Sequence, residues 1–311
     1  MAGYCFRRPR NRSRRVLQEE IAAARPYKKR IGLMGAAISD YPEIDDLCDD
    51  ILSADLTMSV ASFRVDSVTP KLMESLIASG MKTLTMAPEA GSERMRAVIN
   101  KGIAEEHLWR VLDLGIAAGL RHYRLYLMIG LPGERSEDID AIVDLALRLK
   151  AYLESKGNKG SLTLSVNPFI PKPFTPFQWL PMMEKSMVER ELRQLRRGLK
   201  GHKGIEILTE SVKGAYVQGV LARGDRRLGP ALQAAHEAGG PGAFLRTLRD
   251  FDLSAGFYLY CRRSEKEIFP WDMLDMGIER RYLWAELERA ECGAATPACF
   301  DGCQRCGVCK E

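Results

Sequence analysis

The chain has 311 residues, 46 Lys and Arg against 41 Asp and Glu, a net charge of +5, and 46% hydrophobic residues. That length holds one β/α domain and a smaller appendage around a sizeable core. No apolar stretch approaches the ~20 residues that a membrane span requires, so no membrane partner is expected.

Much of the positive charge sits at the start, in Arg7, Arg8, Arg10, Arg12, Arg14 and Arg15. A basic amino terminus reads as a nucleic-acid arm, a transit peptide or a solvated loop. No apolar core follows, which excludes a secretory signal, and Glu19 and Glu20 argue against a transit peptide. Ser13 before RVLQEEIAAA reads as an N-cap and a first helix, while an RNA contact stays open as the rival.

Apolar runs then alternate with amphipathic stretches, as parallel β/α units require. Strands are expected at 30–38, 57–63, 82–87, 123–129 and, last, 161–166; helices at 44–52, 70–79, 105–118 and 136–153. Gly80 and Gly119 close helices just before strands, so the region consists of repeated units. A barrel and an open doubly wound sheet share this pattern. Beyond Trp179 the pattern turns to long helices, at 185–199 and 279–290, and Phe269-Pro270-Trp271-Asp272 is expected to anchor the end of the chain by aromatic burial. Leu221 to Leu228 reads as a helix end with a Gly stop and solvated charges.

Parallel β/α folds place ligands at the carboxyl ends of strands. Two turns there carry chemistry. Pro88-Glu89-Ala90-Gly91-Ser92 supplies a carboxylate, a permissive glycine and a helix cap. Glu89 either accepts hydrogen bonds from a ligand's amine or hydroxyls, or only caps the next helix together with Ser92. Gly130-Leu131-Pro132-Gly133-Glu134 brings bare backbone close to whatever lies above the sheet. His107, His122, His202 and His236 are scattered, without a nucleophile elbow or a metal-type pairing, and support no hydrolase.

MAPEAGSERMRAVINK (86–101) and LYLMIGLPGE (125–134) resemble two adjacent units of a radical S-adenosylmethionine (radical SAM) enzyme. The resemblance implies that Glu89 and Ser92 contact the amino-acid or ribose part of S-adenosylmethionine and that Met128-Ile129-Gly130 lies against its adenine. It also implies that Ser39 and Asp40, within Gly35 to Pro42, sit where a family turn binds the methionine amine, and that Ser62 and Arg64 end the next strand on the same site. Asn167, in VNPFIPKP, and Thr175 to Trp179 resemble one branch of the superfamily, in which a cobalamin-binding domain or partner often precedes the barrel.

In that family a loop with C-x3-C-x2-C holds a 4Fe-4S cluster, which cleaves S-adenosylmethionine to a 5'-deoxyadenosyl radical. MAGYCFRRPR at the start resembles the segment just after that loop. The expectation is therefore a C-terminal fragment, with the catalytic residues unassigned and with negligible radical activity as this chain alone. Its fold is α/β, a partial (β/α)6 TIM-like barrel (1–182) missing its first strand and cluster loop. A mostly helical extension (183–291) and a Cys-rich tail (292–311) follow. The missing strand should leave an unpaired sheet edge.

Cys299, Cys303, Cys306 and Cys309 cluster in that tail, and the first three literally reproduce C-x3-C-x2-C. They lie at the wrong end of the chain for the radical SAM cluster. Soft thiolates so spaced favour a metal over disulfides in a reducing, cytoplasmic setting. Four thiolates suit tetrahedral zinc, and the C-x2-C-x2-C part suits an iron-sulfur centre. Cys48 and Cys261 are expected to be buried, Cys5 cannot hold a cluster alone, and Cys292 is isolated. The substrate is not specified, and the rival to an enzyme is a metal-stapled binding protein that uses the arginine run on RNA.

Overall fold

Strand–helix alternation is present, with altered ends and one additional strand. The computed structural model describes residues 4, 10–27, 29–35, 37–60, 64–300 and 302–309. The chain runs through α1 (Arg14–Ala24), β1 (Arg30–Leu33), α2 (Ile44–Ser53), β2 (Thr57–Val60), α3 (Pro70–Ala78) and β3 (Thr83–Glu89). It continues through α4 (Glu93–Val98), α5 (Glu105–Ala117), β4 (His122–Ile129), α6 (Ser136–Ser155) and β5 (Leu162–Pro168). Then come α7 (Lys185–Gly198), β6 (Ile205–Thr209), α8 (Val212–Arg223), α9 (Leu228–Glu237), α10 (Pro241–Thr247), α11 (Ala255–Tyr260) and α12 (Arg280–Glu291).

Local chemistry sets several boundaries. Pro70 opens α3, where the Thr69 hydroxyl accepts from the Leu72 N–H at 3.0 Å, and Gly80 follows its end at φ +89°. Ser13 stands at the N-cap of α1 as expected, but its side chain makes no capping bond. The first strand stops at Leu33, well short of residue 38. Among the described residues its pairing with β2 runs from Arg30↔Thr57 to Leu33↔Val60, and Ile38–Asp40 is a 3-10 turn.

Residues 161–166 are not the last strand. β6 extends the sheet on the far side of β5, from Leu162↔Ile205 to Val166↔Thr209, so the sheet passes beyond residue 182 into the region read as helical. All ladders are parallel, in two sheets among the described residues: β1-β2 and β3-β4-β5-β6. β2 and β3 do not pair. A cavity of about 180 Å³, lined by Met58, Val60, Leu76, Met81, Thr83 and Thr85 among others, occupies the seam between them.

Alternation along β4 fixes its faces. Tyr123, Leu125, Leu127 and Ile129 enter the main core against Leu145 and Leu149 of α6, whereas Tyr126 is exposed on the other face. A second core joins α1, α2, α3 and β2 around Ile51, Met58 and Leu72. A third, around Tyr216, Phe244 and Tyr258, makes the helical extension. Trp179, Phe269, Leu287 and Cys306 form a fourth, in which the rings of Phe269 and Trp271 stack at 4.8 Å and the Trp271 indole N–H donates to Gln178 at 2.9 Å. Burial of Phe269 thus holds the tail, as its sequence suggested. Among the described residues no helix is long and apolar enough to cross a membrane.

Candidate cofactor cradle at the strand ends

Parallel pairing puts the segments after β3, β4 and β5 at one end of their sheet, where such folds bind ligands. After β1 and β2, the structure brings Ser39, Asp40 and Arg64 together. The Arg64 N–H donates to the Ser39 hydroxyl at 2.9 Å, and the Ser67 hydroxyl donates to Asp40 at 2.6 Å. The Arg64 guanidinium lies 2.5 Å from Asp66 and 3.6 Å from Asp40, and the Asp66 hydrogen bond holds it above the usual arginine range. Ser62 lies outside the described residues.

After β3 the chain does something unusual for a residue with a side chain. Glu89 adopts φ +67°, in the left-handed region, directly after an irregularity in which Met86 faces Leu125 but Glu89 faces Leu127. A bulge of this kind re-aims the strand end, and a non-glycine residue held there costs about 1–3 kcal/mol. The Glu89 carboxylate meets Lys101 at 3.0 Å, and both side chains remain partly exposed. Glu89 does not cap α4; Ser92 does, accepting from the Met95 N–H at 3.2 Å and donating to Asp138 at 2.7 Å. The expected capping role therefore divides, with Ser92 taking it and Glu89 left to Lys101.

The turns after β3 and β4 are laced together. Arg94 donates to the Gly133 carbonyl at 2.9 Å and pairs with Asp138, which also accepts from the Arg135 N–H at 2.9 Å. Gly91 is required by contact, since a Cβ there would sit 2.4 Å from the Ile142 backbone nitrogen. Gly130, at φ +76°, donates its N–H to Glu134 at 2.5 Å, and the Leu131 N–H donates to the same oxygen at 3.3 Å. Burial raises Glu134 to about 8, and burial likewise raises Glu191 of α7 to about 7.

Two expected ligand contacts fall differently. The Ile129 side chain is fully buried toward α6, so only its backbone is available, and its carbonyl already accepts from the Phe169 N–H at 2.8 Å. Asn167 accepts from the Glu210 N–H at 3.3 Å, tying β5 to the loop after β6. A cavity of about 710 Å³ adjoins the turn, lined by Gly130, Leu131, Phe177, Met183 and Met187 among others. Of the expected residues only Gly130 lines it; Glu89, Ile129 and Asn167 do not.

Arg223 went unassigned in sequence. It was read among solvated charges, yet it is 2% exposed and donates to the carbonyls of Tyr258 at 2.5 Å, Cys261 at 2.6 Å and Leu180. Burial lowers it to about 10. It joins α8 and α11 to the segment after β5, and the Gly224 that follows is extended rather than left-handed.

In the tail, Cys303 and Cys306 are buried, Cys309 is half-buried and Cys299 is exposed. The Arg305 guanidinium donates to the Cys303 sulfur at 3.1 Å and brings that thiol down to about 7. Among the described residues no three His, Cys, Asp or Glu side chains converge as a metal site requires. Cys48 is buried as expected, whereas Cys261, the C-cap of α11, is exposed. Three of the arginines in the amino-terminal run make ion pairs within the chain. Arg12 pairs with Glu20 at 2.6 Å, Arg14 with Asp50 at 2.7 Å and Arg15 with Glu19 at 2.8 Å; Arg7, Arg8 and Cys5 lie outside the described residues.

A stretch of 199 residues is 34% identical to an uncharacterized protein, MJ0966, of Methanocaldococcus jannaschii, covering 64% of this chain and 42% of that one. The chain thus spans less than half the length of this relative. Among solved structures it is similar to SuiB of Streptococcus suis, at 13% identity and a TM-score of 0.44 over 67% of this chain and 46% of that one. The structure of SuiB bound to S-adenosylmethionine gives 14% identity and 0.45 over 69% and 48%. By sequence, residues 3–146 match the model of the Radical SAM superfamily.

Proposed function

We propose that the carboxyl ends of β1 to β5 form the S-adenosylmethionine cradle of a radical SAM enzyme. The observation that carries this reading is Glu89, a carboxylate in a left-handed conformation at the end of β3, partly exposed and answered only at one side by Lys101. Strain of this sort persists where the surroundings enforce it, and it concentrates at ligand sites. Glu89 accepts hydrogen bonds from the ligand's amine or hydroxyls, with the Lys101 ammonium 3.0 Å to its side. Ser39, Asp40 and Arg64 present a neighbouring polar group for the amino-acid part. The Gly130 turn offers backbone to the adenine, and Asn167 steadies the end of β5.

In such an enzyme a reduced 4Fe-4S cluster would supply the one electron that splits S-adenosylmethionine into methionine and a hydrogen-abstracting 5'-deoxyadenosyl radical. The described residues do not fit such a cluster, since no three thiolates converge among them, and no step is assigned through it here. The tail cysteines Cys299, Cys303, Cys306 and Cys309 do not converge as they stand, and a zinc or iron-sulfur site there, separate from the cradle, would need the metal to draw them together. A cobalamin-binding domain or partner chain beside the barrel belongs to the same proposal.

Calorimetric titration with S-adenosylmethionine tests the cradle without needing turnover. Saturable binding that Glu89→Gln weakens by about tenfold is expected, the loss of one hydrogen bond to a charged group. No binding by the intact chain, or equal binding by the variant, would remove the proposal.

A further inference from the structure

We propose that Arg96 is the positioning residue of the cradle: its buried guanidinium pins the turn that carries Glu89. This inference rests on the reading of Glu89 as a cofactor contact.

α4 has six residues, too few to be stable by itself, and it stays folded through what it touches. Its start is tied by Ser92 to the Met95 N–H at 3.2 Å. From its middle, Arg96 Nη1 donates to the Ala90 carbonyl at 3.1 Å and to the Gly91 carbonyl at 2.9 Å, the two peptide oxygens that directly follow Glu89. Beyond its end, the Lys101 N–H donates to the Arg96 carbonyl at 2.9 Å, and the Lys101 ammonium reaches Glu89. One residue therefore holds both the turn that follows the strained carboxylate and the segment that brings Lys101 to it.

Core filling does not account for an arginine here. Arg96 is 2% exposed, and its Nε and Nη2 have no hydrogen-bond partner. The nearest carboxylate, Glu93, is 3.9 Å away and largely in water. Burial accordingly pulls the guanidinium below the usual arginine range. An apolar side chain of similar volume would avoid leaving those donors unpaired, and such replacements of buried charge are often neutral or stabilising. A cation retained at a site that opposes it is explained by the two carbonyls it fixes.

The test uses the full chain with Arg96→Met, Arg96→Lys, Glu89→Gln and the double variant Arg96→Met/Glu89→Gln. Binding of S-adenosylmethionine is followed by calorimetry, and hydrogen exchange is followed in the peptide covering 89–95. We expect Arg96→Met to weaken binding by about tenfold, Arg96→Lys to recover most of it, and the double variant to bind no worse than Glu89→Gln alone. Faster exchange at 89–95 in Arg96→Met should accompany the loss. Binding within about twofold of the unsubstituted chain, or losses that simply add, would overturn the proposal. If the unsubstituted chain binds no S-adenosylmethionine, the cradle reading fails, and unchanged exchange at 89–95 then separately overturns the positioning role. Should Arg96→Met not fold, Arg96→Lys against Arg96→Gln decides the same question, since only the lysine retains a cation able to bridge both carbonyls.

Discussion

Glu134 and Glu191 meet behind the Gly130 turn, a half-buried and a buried carboxyl from different elements that share one backbone N–H. Gly130 donates to Glu134 at 2.5 Å and also faces Glu191, whose second carboxylate oxygen is buried without a partner. Two such groups cannot both ionise cheaply, and the proton they retain belongs to the pair.

Stability should therefore depend on pH with a definite sign. Both carboxyls titrate in the fold above their ordinary value of 4.5, with Glu134 raised to about 8. The folded state binds more protons than the unfolded state across that interval, so stability is fully present below pH 4.5 and falls as pH rises toward about 8. Glu191→Gln should flatten the profile and raise the melting temperature at pH 8. A melting temperature measured at intervals from pH 5 to 9 checks it, and an unchanged slope in the variant would refute the pairing.

Gly91→Ala should destabilise strongly. Its Cβ would lie 2.4 Å from the Ile142 nitrogen and 2.6 Å from the Ala141 carbonyl carbon, both backbone atoms of α6 that cannot step aside. A loss of roughly 3 kcal/mol or more in urea unfolding is expected. Gly133→Ala is the useful contrast. Nothing stands within 4 Å of its added Cβ, and only its left-handed φ of +73° resists.

Arg223→Met should cost roughly 3 kcal/mol, because the carbonyls of Leu180, Tyr258 and Cys261 lose a shared donor inside the protein. The segment around Met182 should also become sensitive to protease, since Arg223 fixes the carbonyl of neighbouring Leu180. Unfolding in denaturant and limited proteolysis read the two effects separately.

Tail chemistry can be decided by metal analysis after anaerobic iron and sulfide reconstitution, in parallel with zinc loading. We expect bound metal that disappears when Cys299, Cys303, Cys306 and Cys309 are all replaced by Ser. Iron with sulfide identifies a cluster, zinc alone identifies a structural site, and metal content equal in both proteins removes the tail from consideration.

Much of the strand order was legible because alternating residues and helix-closing glycines act locally. Gly80 and Gly119 are left-handed where the sequence placed helix stops, and Ser92 caps where a cap was expected. β6 was hidden because IEILT is five residues long and lies between helical stretches, so only its pairing with β5 makes it a strand. Ile129 illustrates a different limit. Sequence placed it at the site, but which face of β4 it occupies is settled by packing against α6. Arg96 and Arg223 were illegible for a related reason, since an arginine in sequence carries no sign that its partners will be carbonyls distant along the chain.

The unpaired seam between β2 and β3 divides the molecule into two sets of neighbours, one gathered around Ile51 and Met58 and the other around Leu84 and Leu125. Among the described residues no ladder hydrogen bond transmits rigidity across it; Met81 packs against both cores, and Arg110 reaches back to the Val68 carbonyl at 2.8 Å. Amide protons of β1 and β2 should consequently exchange together and ahead of those in β4 and β5, as one subglobal opening. Such an opening would loosen Ser39, Asp40 and Arg64 while Glu89 and Gly130 stayed in place, so that the two halves of the proposed cradle would move apart as separate units.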